Sequence, residues 1–290
     1  MKNVLFSTNP NKVKQEENRN WWENNPMTYD WEGVRLTQEG TKEWFRQIDE
    51  EFWNISKSFA HPDYPACAPF SSLVDYSEVK GKKVLEIGCG MGAHASVFAN
   101  AGAQVTAIDL TQRAVSLTRQ RFELFNIKNA SVIKVDAENL PFEDNSFDFV
   151  WSWGVIHHSA DTQKIVKEIL RVLKPGGKVS VMVYHRHSTR YYVYGLYRGI
   201  FCGEFFRHRS LYAVNMTFTD GHIAKHYTPK EAKRLFADFS SAVTLVMDGP
   251  VPAMLPGWDR ISRLFSALMR PINRWITRRW GWFLVVNAVK

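Results

Sequence analysis

Cysteine is scarce in this chain of 290 residues: only Cys67, Cys89 and Cys202 occur. Their spacings match no zinc or redox pattern, and so few thiols in so long a chain do not make a disulfide scaffold. A reducing compartment is expected. Long apolar runs are also missing. No stretch reaches the roughly 18 apolar residues that a spanning helix requires. The opening MKNVLFSTNPNKVKQEENRN holds no apolar core of signal-peptide length. A soluble, cytoplasmic protein is therefore expected. Acidic residues are outnumbered, 29 against 37 Lys and Arg, for a formal charge of +8. That excess suits an acidic partner or a solvated basic surface equally. The basic residues lack the interleaved Gly and aromatic pattern of an RNA-binding tail, so no nucleic-acid partner is expected.

What is present is apolar residue for a full core, 45% of the chain, arranged in zones. Residues 1–77 are polar, then aromatic, with Trp21, Trp22, Tyr29, Trp31, Trp44 and Trp53 among Asn, Pro and Gly. They read as a lid extension of short helices and loops. Residues 78–185 alternate strand and helix. Lys83 to Ile87, Gln104 to Ile108, Ser131 to Val135, Phe147 to Ser152 and Lys178 to Tyr184 read as strands. Ala93 to Ala101 suits a helix, and Thr111 and Asp161 suit N-caps of two more. Lys174-Pro175-Gly176-Gly177 stops the last of these. Such alternation implies parallel βαβ units in one sheet covered on both faces.

Residues 186–227, rich in Tyr, Phe, Arg and His, read as a cap insertion. In 228–290 the order is Thr228-Pro229-Lys230-Glu231 as a helix start, Ala242 to Met247 as a strand, and Trp282 to Val289 as the final strand. Between them, residues 259–279 carry Ile261, Leu264, Phe265, Leu268, Ile272, Trp275 and Ile276 at helical spacing, with Arg260, Arg263, Arg270, Arg274, Arg278 and Arg279, and Pro271 kinks or breaks the helix. This segment is either a cap helix with a solvated arginine face or a peripheral membrane contact.

The chemical signal is Val84-Leu85-Glu86-Ile87-Gly88-Cys89-Gly90-Met91-Gly92, a strand running into a glycine turn. Glycine permits the tight turn and a close backbone approach to a ligand. The dinucleotide fingerprint is G-x-G-x-x-G; here Ala93 stands at the third glycine, which that fingerprint tolerates. Asp109 ends the second strand, 17 residues after Gly92, where a carboxylate accepts ribose hydroxyls of either nucleoside cofactor. Asp136-Ala137 follows the third strand, and Leu140-Pro141-Phe142 and Asp148-Phe149-Val150 lead into the fourth.

Taken together, VLEIGCGMG, AIDL, VDAENLPFEDNSFDFVWSWGVIHH and LKPGGKV resemble the class I S-adenosylmethionine (SAM)-dependent methyltransferase family, type 11-like, over residues 84–184. Trp21-Trp22, Asn25-Pro26, Tyr29-Asp30-Trp31 and the run from Met182 to Ser188 resemble a bacterial subgroup with an aromatic N-terminal extension. The resemblance implies a doubly wound α/β fold with a mostly parallel, seven-stranded, Rossmann-like sheet. It implies SAM as cofactor and S-adenosylhomocysteine as product. Gly88, Gly90 and Gly92 would line the methionine part, Glu86 beneath that loop would help orient the cofactor, Asp109 would hold the ribose with Leu110 beside it, and Asp136 and Ala137 the adenine. Trp151 and Trp153 would line the wall near the methyl group.

Methyl transfer to oxygen or nitrogen can need a base near neutral pH, and His suits that role. His157 and His158 follow the fourth strand, at the ligand-facing ends of the strands. Tyr184, His185 and His187 follow the fifth on the same rim, and with Tyr29 they are the expected acceptor contacts. No metal site is expected, since no acidic partner stands at a ligand spacing. Neither an N/D-P-P-[FYW] amino-group motif nor a catalytic cysteine is found, which argues against RNA methylation. A small-molecule acceptor is the leading expectation, with oxygen favoured. A lipid-like or quinone-like acceptor at a membrane surface, or SAM binding without methyl transfer, stands beside it.

Overall fold

The computed structural model describes residues 10–27, 37–56, 69–247, 275 and 277–290. Its centre is an eight-stranded sheet in the order β3-β2-β1-β4-β5-β8-β7, with a short β6 on β5. The strands are β1 (Lys83–Ile87), β2 (Gln104–Asp109), β3 (Ala130–Lys134), β4 (Phe147–Trp153), β5 (Leu173–His185), β6 (His226–Tyr227), β7 (Ser241–Met247) and β8 (Phe283–Val289). β1 to β6 pair in parallel; β8 runs antiparallel to both β5 and β7. The fold is thus the expected doubly wound α/β class, with one more strand than the seven expected. The extra strand, β6, has two residues, too few for any periodicity to reveal.

A strand alternates its side chains between two faces. In β1, Val84 joins a core with Val105, Val115, Phe122 and Phe98. Its neighbour Leu85 joins the opposite core, with Val150, Ile169, Val181 and Val286. Both faces are apolar because helices cover both. On the first lie α3 (Ala93–Asn100) and α4 (Gln112–Leu124); on the second lie α5 (Thr162–Val172) and α8 (Pro229–Leu235). The caps are local. Thr111 and Asp161 accept from Ala114 N and Lys164 N, and Thr228 with Glu231 forms a complete capping box ahead of Pro229.

Two elements differ from expectation. β5 starts at Leu173 rather than Lys178, running through Pro175-Gly176-Gly177 as an irregularity where the register with β4 shifts. Among the described residues of the N-terminal zone lie two helices of 15 residues, α1 (Pro10–Asn24) and α2 (Lys42–Ser56), longer than the short helices expected. α2 buries Trp44, Phe45, Ile48 and Phe52 at helical spacing. There it packs on α4, whose buried Arg121 guanidinium lies 4.7 Å over the Phe45 ring and bonds Asp49 at 2.7 Å. α1 is almost wholly polar and is held by specific side-chain bonds, described below. Of residues 259–279, only 275 and 277–279 are described, so the kinked basic helix lies otherwise outside the described residues. Among the described residues no helix is long and apolar enough to cross a membrane.

Candidate functional site

The chain moves from β1 outward to β2 and β3, then returns across β1 to β4 and β5. At such a reversal the loops after neighbouring strands part and leave a crevice at their C-terminal ends. A cavity of about 400 Å³ occupies that crevice.

Its floor is the turn after β1. Gly88, Gly90 and Gly92 all have φ between 54° and 77°, a region costly for other residues. At Gly88 a Cβ would lie 2.3 Å from a methyl of Val155, whereas at Gly90 a Cβ would meet nothing within 4 Å. Gly90 therefore borders open cavity. Gly92 packs instead against Thr118 of α4 and does not line the cavity.

Of the four acidic side chains that line the space, Glu86, Asp109 and Asp136 stand at the ends of β1, β2 and β3. Glu86 is buried, and its Oε2 has no partner. Burial, and then the charge of Asp109, push its carboxyl well above the ordinary range, with the Ala95 backbone amide pulling the other way. Asp109 accepts from Thr111 N at 2.9 Å, Thr111 Oγ1 at 2.8 Å and Gly90 N at 3.1 Å. Burial still raises its pKa against those bonds. Asp136 Oδ1 accepts from Glu138 N and from Gln15 Nε2 at 3.1 Å. Leu110 and Ala137 lie beside them.

The far side is aromatic. Trp151 and Trp153, two residues apart, share one face of β4 and stack at 5.6 Å with 7° between planes. Only Trp153, nearer the strand end, reaches the cavity. Trp151 is fully buried beneath it and donates from Nε1 to His94 Nδ1 at 2.7 Å. Phe70, Met182, Tyr184, Trp282 and Phe283 continue the wall, and Arg190 and Asp220 stand at its polar end.

The histidines divide in the same way. His158 lines the cavity, and its Nδ1 bonds the Ile223 carbonyl. A carbonyl only accepts, so Nδ1 carries the proton and Nε2 keeps its lone pair. Burial lowers the His158 pKa to about 4, so the ring is neutral at pH 7. His157 is fully buried outside the cavity lining, with its ring 4.1 Å from that of Tyr184. On β5, Tyr184 faces the cavity, while the next residue, His185, points away and bonds the Gly281 carbonyl. His187 is exposed beyond the strand. Tyr29 lies outside the described residues.

Helix α1 supplies a wall that was not among the expected site residues. Glu23 accepts from Gln112 N at 2.8 Å and Arg113 N at 2.9 Å, docking α1 on the start of α4. Gln15 bridges Asp136 and Ala160 N. Asn18, buried with Oδ1 unpartnered, and Trp22, edge-on to His158 at 5.1 Å, line the cavity between these ties. The tryptophan pair was visible in the sequence, but nothing local marked Gln15, Asn18, Arg190 or Asp220. Among the described residues no cluster of His, Cys, Asp or Glu could hold a metal ion.

A crevice at a sheet's switch point, floored by a glycine turn and bordered by carboxylates at the ends of β1, β2 and β3, is the arrangement in which α/β proteins bind nucleoside cofactors. Residues 85–181 match the methyltransferase-domain family. Over those residues, about a third of the chain, it is similar to class I SAM-dependent methyltransferases. It is similar to a phthiotriol/phenolphthiotriol dimycocerosates methyltransferase of Mycobacterium ulcerans, 38% identical over 34% of this chain and 36% of that one. It is also similar to phosphoethanolamine N-methyltransferase 2 of Caenorhabditis elegans, 37% identical over 36% of this chain and 24% of that one. The matches thus span about a third or less of the length of these curated relatives. Among solved structures, a SAM-dependent methyltransferase of Thermotoga maritima, described as a possible histamine N-methyltransferase, shares the fold. Its TM-score is 0.50 at 21% identity, covering 84% of this chain and 97% of that one.

Proposed function

We propose that this chain transfers the methyl group of SAM to a small-molecule acceptor with an apolar body, most favourably at oxygen. The observation that carries the reading is the cavity's division into two chemistries. One half gathers hydrogen-bond acceptors without enough donors: Glu86 Oε2 and Asn18 Oδ1 are both buried and unpartnered. An ammonium group supplies the donors they want. Asp109, with Leu110 beside it, and Asp136 with Ala137 suit ribose hydroxyls and an adenine edge, and the open space at Gly90 admits a ligand against the backbone. The residues present therefore fit SAM. When bound, it supplies an electrophilic methyl group and leaves as S-adenosylhomocysteine.

The other half is built for the acceptor. Trp153, Tyr184, Trp282 and Phe283 give an apolar slot that excludes water. Arg190 and Asp220 meet the acceptor's polar end. His158, held in one tautomer by Ile223, offers Nε2 to an acceptor hydroxyl proton. His157 positions Tyr184 rather than touching the acceptor. The aromatic slot also suits a lipid-like or quinone-like acceptor.

Calorimetric titration with SAM, S-adenosylhomocysteine and NADH tests the cofactor half. Micromolar binding of the first two and none of NADH is expected; NADH binding alone would overturn the reading. An acceptor panel scored by S-adenosylhomocysteine release then separates methyl transfer from SAM binding without turnover.

A further inference from the structure

The π-helical turn Arg190–Tyr194 continues into α6 (Gly195–Phe201), making one helical stretch that leads to α7 (Leu211–Met216). One side of it is packed. Tyr191, Gly195 and Gly199 are buried at a spacing of four. Gly195 sits against Asn215 and Leu211, and Gly199 against the Phe205 ring. The other side carries Tyr192, Val193, Leu196, Ile200 and Phe201, all exposed, Ile200 by 60% and Phe201 by 78%. Phe206, in the next turn, is 96% exposed, and Tyr212 on α7 is exposed too. A solvent-facing helix side is ordinarily polar, and a contiguous exposed apolar patch marks an interaction surface.

The charges around the patch say what it meets. Within 190–201 the only charged residues are Arg190 and Arg198. Arg190 lines the cavity and Arg198 pairs with Glu204 at 2.8 Å, so no charge interrupts the apolar row. Beside it, Arg207 and Arg209 are exposed and pair with no carboxylate among the described residues. Glu204 is the one acidic residue between positions 186 and 219, against five arginines.

We propose that residues 190–212 form a docking surface for an anionic phospholipid bilayer. The exposed Phe, Ile and Tyr side chains enter the headgroup boundary, and Arg207 and Arg209 meet lipid phosphates. A projecting apolar ridge flanked by unpaired arginines suits a medium that presents acyl chains and anionic groups side by side. The helix that docks also carries Arg190 into the cavity wall, which brings the acceptor chamber to the membrane. Docking itself does not depend on methyl transfer.

The test is sedimentation of the full chain with phosphatidylcholine vesicles, with and without phosphatidylglycerol. Binding to the anionic vesicles, weakened by added salt, is expected. Phe201→Ser/Phe206→Ser should lower the partition coefficient roughly a hundredfold. Arg207→Ala/Arg209→Ala should lower it roughly tenfold or more. Both variants should melt at the wild-type temperature, since the replaced side chains are exposed. No sedimentation with either vesicle, or equal partition of Phe201→Ser/Phe206→Ser and wild type, would overturn the proposal. So would a melting temperature several degrees lower in that variant, which would show the chain's own residues covering the patch. A dimer by light scattering that the same variant dissolves, with no vesicle binding, would assign the surface to a second copy instead.

Discussion

His94 offers a way to read the protein's acid sensitivity one group at a time. Its ring is buried between Phe52, Phe70 and the Trp151–Trp153 stack, and its Nδ1 accepts the Trp151 indole N–H. Burial lowers its pKa from 6.5 to about 3. Between those values the unfolded chain carries a proton at this ring and the folded chain does not. Stability is therefore fully present above pH 6.5 and is lost as pH falls toward 3. From pH 7 to pH 5 the unfolded ring gains about 1.9 kcal/mol of protonation free energy, while the folded ring gains almost none. That is a sizeable fraction of a typical domain stability of roughly 5–15 kcal/mol.

Buried carboxylates with raised pKa, Glu86 and Asp109 among them, act in the opposite direction, so the wild-type curve alone does not isolate the histidine. His94→Gln does, because glutamine keeps an acceptor for Trp151 and does not titrate. Urea unfolding of both proteins at pH 7 and pH 5 gives the difference of differences. Wild type should lose about 2 kcal/mol more than the variant over that interval. Parallel losses, within about 0.5 kcal/mol, would refute the argument that His94 is held neutral by burial.

Other outcomes follow from the same site. Asp109→Ala removes charge-assisted bonds to Gly90 and Thr111 as well as the proposed ribose acceptor, and should weaken SAM binding by at least about thirtyfold in calorimetry. Gly88→Ala and Gly90→Ala should separate folding from binding. The first places a methyl 2.3 Å from Val155 and should lower the melting temperature sharply; the second points into open cavity and should chiefly raise the SAM dissociation constant. Glu23→Ala frees α1 from the start of α4, costing about 1 kcal/mol of stability and loosening the cofactor wall, seen as faster SAM dissociation in stopped-flow. His158→Gln should reduce kcat by about a hundredfold or more with SAM affinity unchanged, once an acceptor is found; an unaltered kcat would remove the histidine from the reaction.

Much of this was legible in the chain itself. The glycines after β1, Asp109 after β2 and the caps at Thr111, Asp161 and Thr228 are local matters of backbone conformation and hydrogen bonding, which a few neighbouring residues decide. The strands of the core are runs buried on both faces, and their spacing implied the doubly wound sheet. Tertiary structure decided which of several equivalent side chains reaches the crevice. Trp151 and Trp153 have the same period and residue type, yet only the one nearer the strand's end lines the cavity. His158 rather than His157, and Tyr184 rather than His185, face it because strand and turn geometry point neighbours apart. Gln15, Asn18 and Trp22 become a wall because Glu23 binds the start of a helix some 90 residues later in the chain and Gln15 binds Asp136 and Ala160. The apolar row on α6 looks in the sequence like any core-facing stripe, and only the packing of its glycines against α7 and Phe205 shows that the stripe is turned outward. Contacts between residues distant in the chain leave no local periodicity, so they had to be found in the folded molecule.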